Sequence, residues 1–91
     1  METVKLTIHG RVQGVGFRWS VQTLATALKL NGDVANNADG SVTIHLQGTP
    51  EQINTFKAKL SHRLSPFSKI TEITQEISPN SPKMADFHVL Y

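Results

Sequence analysis

The stretch Gly10-Arg-Val-Gln-Gly-Val-Gly-Phe-Arg18 concentrates three glycines and two arginines between an alternating apolar segment and the start of a helical pattern. Gly14 and Gly16 let successive backbone N–H groups turn inward as an anion-binding concavity, and the helix N-terminus that follows adds partial positive charge. Arg18 falls in that first helical turn, where its charge opposes the helix dipole at a cost of roughly 0.3 kcal/mol or more. A bound dianion reverses the sign of that cost, and the planar guanidinium fork suits two phosphate oxygens. The competing reading is a plain strand-to-helix turn with a surface arginine, since glycine-rich turns are common. Two nucleotide motifs fail on spacing. Counted from Gly10, the second P-loop glycine would be Val15, and counted from Gly14, the third glycine of the dinucleotide fingerprint would be Trp19.

The elements that must carry this loop are legible as changes of period. From Glu2 to His9, Val4, Leu6 and Ile8 alternate with polar residues, as in a half-buried strand. From Phe17 to Lys29 the period is helical, with Val21, Leu24, Ala25 and Leu28 on one stripe and Gly32 expected to follow the helix end. A hairpin comes next. Val34 lies in a short strand, NNADG (Asn36 to Gly40) forms the turn, and Val42, Ile44 and Leu46 point inward from a third strand. Thr49, Pro50 and Gln52 have the spacing of a capping box, opening a second helix with Ile53, Phe56, Leu60 and Leu64 as its buried stripe and Pro66 as its stop. Thr71 to Ser78 is a fourth strand whose phase breaks at Ile70, which predicts a bulge or a late start. After the loop Ser78 to Asp86, Phe87, Val89 and Tyr91 alternate in a short final strand. The order βαββαβ plus a terminal strand predicts an α+β, ferredoxin-like sandwich. Its mainly antiparallel sheet would carry both helices on one face.

Composition bounds the partners. At 91 residues, with 38% hydrophobic and 18% charged residues, the chain is too apolar for disorder and is expected to form a single domain over residues 1–91. With no cysteine, disulfides, thiolate metal sites and thiol nucleophiles are excluded. The N-terminus has no apolar signal core, and no stretch approaches the roughly 20 apolar residues of a membrane span, so a cytoplasmic location away from membranes is expected. The net charge of +2 is too mild to argue for nucleic acid, and Lys57, Lys59, Arg63 and Lys69 read as a solvated face. A base-stacking RNA module on the same plan would need aromatics on its central strands, and VKLTIHG and SVTIHLQ have none. His9, His45 and His88 fall on outward strand positions, expected to be exposed rather than to form a metal site. Trp19 is suited either to stack on a substrate or to pack over the helix start. Asn36 and Asn37 both suit a turn that tolerates a left-handed backbone.

The first motif, Gly10 to Arg18, resembles at every position the signature of the acylphosphatases, small enzymes that hydrolyse acyl phosphates. A second motif, from Gly32 through Val34 and Asn36 to Gly40, Val42 and Gly48, has that family's spacing, and the closing Phe87-His-Val-Leu-Tyr91 fits as well. The resemblance implies a phosphoryl group held by the N–H groups of Gln13, Gly14, Val15, Gly16, Phe17 and Arg18 together with the Arg18 guanidinium. It implies water oriented by Asn36, selected over Asn37 by the family's gap before Gly40. No metal and no cofactor are implied. The expected partners are a small acyl phosphate and inorganic phosphate, the latter as product and competitive ligand, with the protein a monomer. The carboxylate of Tyr91 is a candidate partner for Arg11 or Arg18. Asp33 stands where the family usually has an aromatic, and Ala35 where a basic residue is common; both are expected beside the site. Two further readings on the same fold are a phosphate-binding module without turnover, and the acylphosphatase-like domain of carbamoyl-phosphate-using hydrogenase maturation proteins. Those proteins are much longer chains.

Overall fold

In the computed structural model, which describes residues 1–14, 16–61, 69–78 and 81–90, alternation along the strands builds one apolar sheet face. Strand β1 (Glu2–Arg11) buries Val4, Leu6 and Ile8 and leaves Lys5, Thr7 and His9 half-buried on the other side. Strands β2 (Asn31–Asn36) and β3 (Val42–Gly48) continue the pattern, so that Leu6, Ile44 and Val34 lie side by side across three strands. Helices α1 (Phe17–Ala27) and α2 (Pro50–Leu60) cover this face with Phe17, Val21 and Ala25 from one and Ile53, Phe56 and Leu60 from the other. Fully burying a ring such as Phe17 or Phe56 contributes about 1.5–3 kcal/mol.

The sheet order is β4-β1-β3-β2-β5, with β4 (Lys69–Ile77) at one edge and β5 (Phe87–Val89) at the other. The pairs β1–β3, β1–β4 and β2–β3 are antiparallel, and β5 runs parallel to β2. This is the expected ferredoxin-like plan with a terminal strand added. Its capping box is present: the Thr49 hydroxyl accepts from the Gln52 N–H at 3.1 Å while the Gln52 side chain accepts from the Thr49 N–H at 2.8 Å.

Four details differ from expectation or refine it. Strand β1 extends two residues past His9, because Arg11 still pairs with Lys69. The register then jumps from His9–Glu72 to Gly10–Ile70, leaving Thr71 as the extra residue of a bulge where the sequence phase broke. Helix α1 is closed by Lys29, not by Gly32. Lys29 takes the left-handed position (φ 59), its N–H bonds to Thr26 O at 3.1 Å, and the Leu30 N–H bonds to Ala25 O at 2.9 Å. Gly32 instead lies inside β2, paired with Leu46 and Phe87. Leu64 and Pro66 at the expected end of α2 lie outside the described residues, as do Val15 and Tyr91.

Candidate active site

The loop between β1 and α1 is shaped by two glycines. Gly14 (φ 72) and Gly16 (φ 76, the N-cap of α1) sit in the left-handed region, which strains an L side chain by about 1 kcal/mol or more. A Cβ at either position would meet nothing within 4 Å, so open space lies over the loop. The Ser20 N–H closes on Gly16 O at 3.1 Å, which leaves the N–H groups of Phe17, Arg18 and Trp19 ahead of the helical ladder. Among the described residues no side chain caps this end, and its first turn carries no acidic residue. The helix start therefore offers donors and roughly half a positive charge, with no acidic side chain in its own first turn.

A cleft of about 190 Å³ opens here, lined by Gly14, Gly16 and Arg18 from the loop and first turn and by Asn36 from the end of β2. Gln22, one turn along α1 from Arg18, and Val89 of β5 extend its walls. The Arg18 Nη1 donates to the Leu90 carbonyl at 3.0 Å, and the Leu90 N–H donates in turn to Val34 O at 2.8 Å. The arginine head is thereby tied to the segment that follows β5. Gln22 Nε2 donates to Phe87 O at 3.3 Å, a second link from α1 to the same strand.

The two asparagines part company. Asn37 donates from Nδ2 to Ser41 Oγ (2.9 Å) and Thr43 Oγ1 (2.8 Å), so its amide holds the hairpin together. The Ser41 hydroxyl and N–H both donate to Asp39 Oδ1, at 2.6 and 2.9 Å, and these bonds hold the Asp39 carboxyl below the usual carboxylate range. Asn36 is exposed and faces the cleft. Gln13 does not reach the cleft with its side chain: Nε2 donates to Asn37 O and Ser41 O, both at 2.8 Å, fastening the hairpin turn to the loop. The Phe17 ring is buried in the core at 1% exposure, so only its backbone can face a ligand.

Asp33 and Ala35 are not beside the cleft. The period of two along β2 turns Val34 toward the helices and Asp33 and Ala35 to the helix-free face, where Asp33 Oδ1 lies 2.7 Å from His45 Nδ1. His88 sits next to Asp33 in the β2–β5 register and lies 2.5 Å from Asp86 Oδ1 through its Nε2. Among the described residues no group of three His, Asp or Glu side chains could hold a metal ion. Sequence reasoning missed Gln22, Val12 and Val89 in the cleft lining. Gln22 was within reach, since it lies four residues after Arg18 and so on the same side of the helix. Val12 belongs to the loop itself, two residues before Gly14, and only Val89 is brought in by the tertiary fold.

The acylphosphatase family model matches residues 4–89. The chain belongs to the acylphosphatase family. An acylphosphatase of Lactobacillus johnsonii is 40% identical over 91 residues, covering all of both chains. The crystal structure of acylphosphatase from Bacillus subtilis aligns with a TM-score of 0.94 at 37% identity, again over the whole of both chains. Full-length HypF, crystallised in a phosphate- and nucleotide-bound form, aligns with a TM-score of 0.91 at 29% identity; the match covers 99% of this chain and 12% of that one. The protein is accordingly a hydrolase, of a family acting on small acyl phosphates. Among the described residues no helix is long and apolar enough to cross a membrane.

Proposed function

We propose that residues 1–91 act as one acylphosphatase unit that hydrolyses the carboxyl–phosphate bond through the cleft at the start of α1. The water oxygen attacks phosphorus, the bond from phosphorus to the acyl oxygen breaks, and the carboxylate leaves with the electron pair. The protons of the water pass to the product phosphate and to solvent. The leaving carboxylate is already a stable anion, so no strong general acid is needed, and the demand reduces to positioning and charge stabilisation. Backbone N–H groups from Gln13 to Arg18 and the Arg18 guanidinium supply the charge stabilisation, and the Asn36 amide orients the water. Neither a metal nor a cofactor has a part in this scheme. Inorganic phosphate, sharing the cradle, competes with the substrate, and the protein works as a cytoplasmic monomer.

One observation carries the reading: Gly14, Gly16, Arg18 and Asn36, from two separate parts of the chain, line the same small cleft. The departures at Asp33 and Ala35 do not weaken it, because both side chains lie on the other face of the sheet. The test is hydrolysis of an aryl acyl phosphate with and without inorganic phosphate. Wild type turns it over and phosphate inhibits. Arg18→Ala loses about a hundredfold or more in kcat/KM, and Arg18→Lys nearly as much, because a point charge cannot replace the fork. Near-normal hydrolysis by Arg18→Ala would refute the assignment.

A further inference from the structure

We infer that the side of α1 running from Trp19 toward Ala27 seats the acyl group of the substrate, and that the enzyme favours acyl phosphates whose acyl part is aromatic or extended and apolar. This deepens the phosphate-cradle reading above and rests on it. Trp19 is 69% exposed, and a lone exposed aromatic would mean little. Its position gives the exposure meaning. Trp19 lines the cleft that holds Arg18 and also an adjoining hollow of about 300 Å³ walled by Ser20, Thr23, Leu24 and Ala27. These residues recur at helical spacing along one side of α1, a strip about 12 Å long at 1.5 Å per residue.

The hollow is apolar by construction. None of its lining residues is charged. The Thr23 hydroxyl donates to Trp19 O at 3.0 Å and the Ser20 hydroxyl to Gly16 O at 3.1 Å, so both engage the helix's own carbonyls. The exposed Thr23 methyl and Trp19 ring, with the outer part of the Leu24 side chain that otherwise packs on the core, remain as available surface. An acyl phosphate has the same two-part character: a dianionic end and, for aromatic or longer acyl groups, an apolar one. The donor-rich cleft and the apolar hollow meet at Trp19, and the planar indole offers a face on which an acyl group can stack.

Trp19 is the only tryptophan of the chain, so its emission reports on the hollow directly. The probes are phenacylphosphonate and acetonylphosphonate, carbon-bridged analogues of benzoyl and acetyl phosphate that cannot be hydrolysed. Both should compete with substrate. The phenacyl compound should bind about tenfold more tightly and change Trp19 emission, the acetonyl compound far less. In turnover, Trp19→Ala should lower the benzoyl-to-acetyl ratio of kcat/KM roughly tenfold, mainly through KM, and Trp19→Phe should restore most of it. An unchanged ratio in Trp19→Ala, or equal emission responses, overturns the inference while leaving the phosphate reading intact. If neither phosphonate competes and Arg18→Ala still hydrolyses substrate, the phosphate reading fails and this one with it. A change from dimer to monomer in Trp19→Ala at constant selectivity would assign the strip to self-association instead.

Discussion

Adjacent asparagines at the end of one strand separate two kinds of work. Asn36 is exposed at the cleft, whereas the Asn37 amide bonds two hydroxyls inside the hairpin. On its proposed role, Asn36→Ala should lower kcat by roughly a hundredfold with the melting temperature little changed, since its amide holds no internal bond among the described residues. Asn37→Ala should do the reverse, costing about 1–3 kcal/mol of stability while kcat stays within a few-fold. Paired kinetics and urea unfolding check both; a large kcat loss in Asn37→Ala alone would reverse the assignment. From sequence, the two residues were equivalent until the family spacing was applied. That Gly14, Gly16 and Arg18 would line one cleft was legible because they fall within five consecutive positions. Gln13 was only half legible: its place in the loop was readable, but the use of its side chain to hold the hairpin depends on a contact 24 to 28 residues away.

At the scale of elements, periodicity located the five strands and two helices of the described residues, because each has an apolar face against the core. The ends were harder to read. Gly32 had the chemistry expected of a helix C-cap, yet the chain turns three residues earlier at Lys29, leaving Gly32 to a strand where it pairs with Leu46. The glycine preference at such a position is strong but can be overridden where the Leu30 anchor is buried, here at 2% exposure. The exposed Lys29 then bears a left-handed backbone. Lys29→Gly should stabilise the protein by about 0.5–1 kcal/mol: relief of the left-handed strain outweighs the extra entropy glycine brings to the unfolded chain. A rise in the urea midpoint at constant slope checks it, and a fall would show that the lysine side chain stabilises the turn. The bulge at Thr71 lies at the other limit. A break in alternation announced it, though not which strand would carry the extra residue.

On the scale of the whole molecule, the cleft has no counterpart in the unfolded chain. It joins the β1–α1 loop to the end of β2, Val89 of β5 and the Leu90 carbonyl, positions that converge only once the sheet is complete. A ligand of this site binds the folded state alone, and its free energy of binding adds to stability by mass action. At a phosphate concentration a hundred times its dissociation constant, the gain is about 2.7 kcal/mol. For a chain of 91 residues that corresponds to a rise in melting temperature of roughly 10 °C or more. Sodium chloride at matched ionic strength should not reproduce the rise, because screening of a net charge of only +2 is a small, nonspecific term. In Arg18→Ala the phosphate-dependent rise should largely vanish, while in Trp19→Ala it should persist, because the indole is assigned to the acyl end. Thermal melts over a phosphate series therefore read the cradle without any turnover. An equal rise in wild type and Arg18→Ala would mean that phosphate stabilises the protein from elsewhere, and the cradle would lose its ligand.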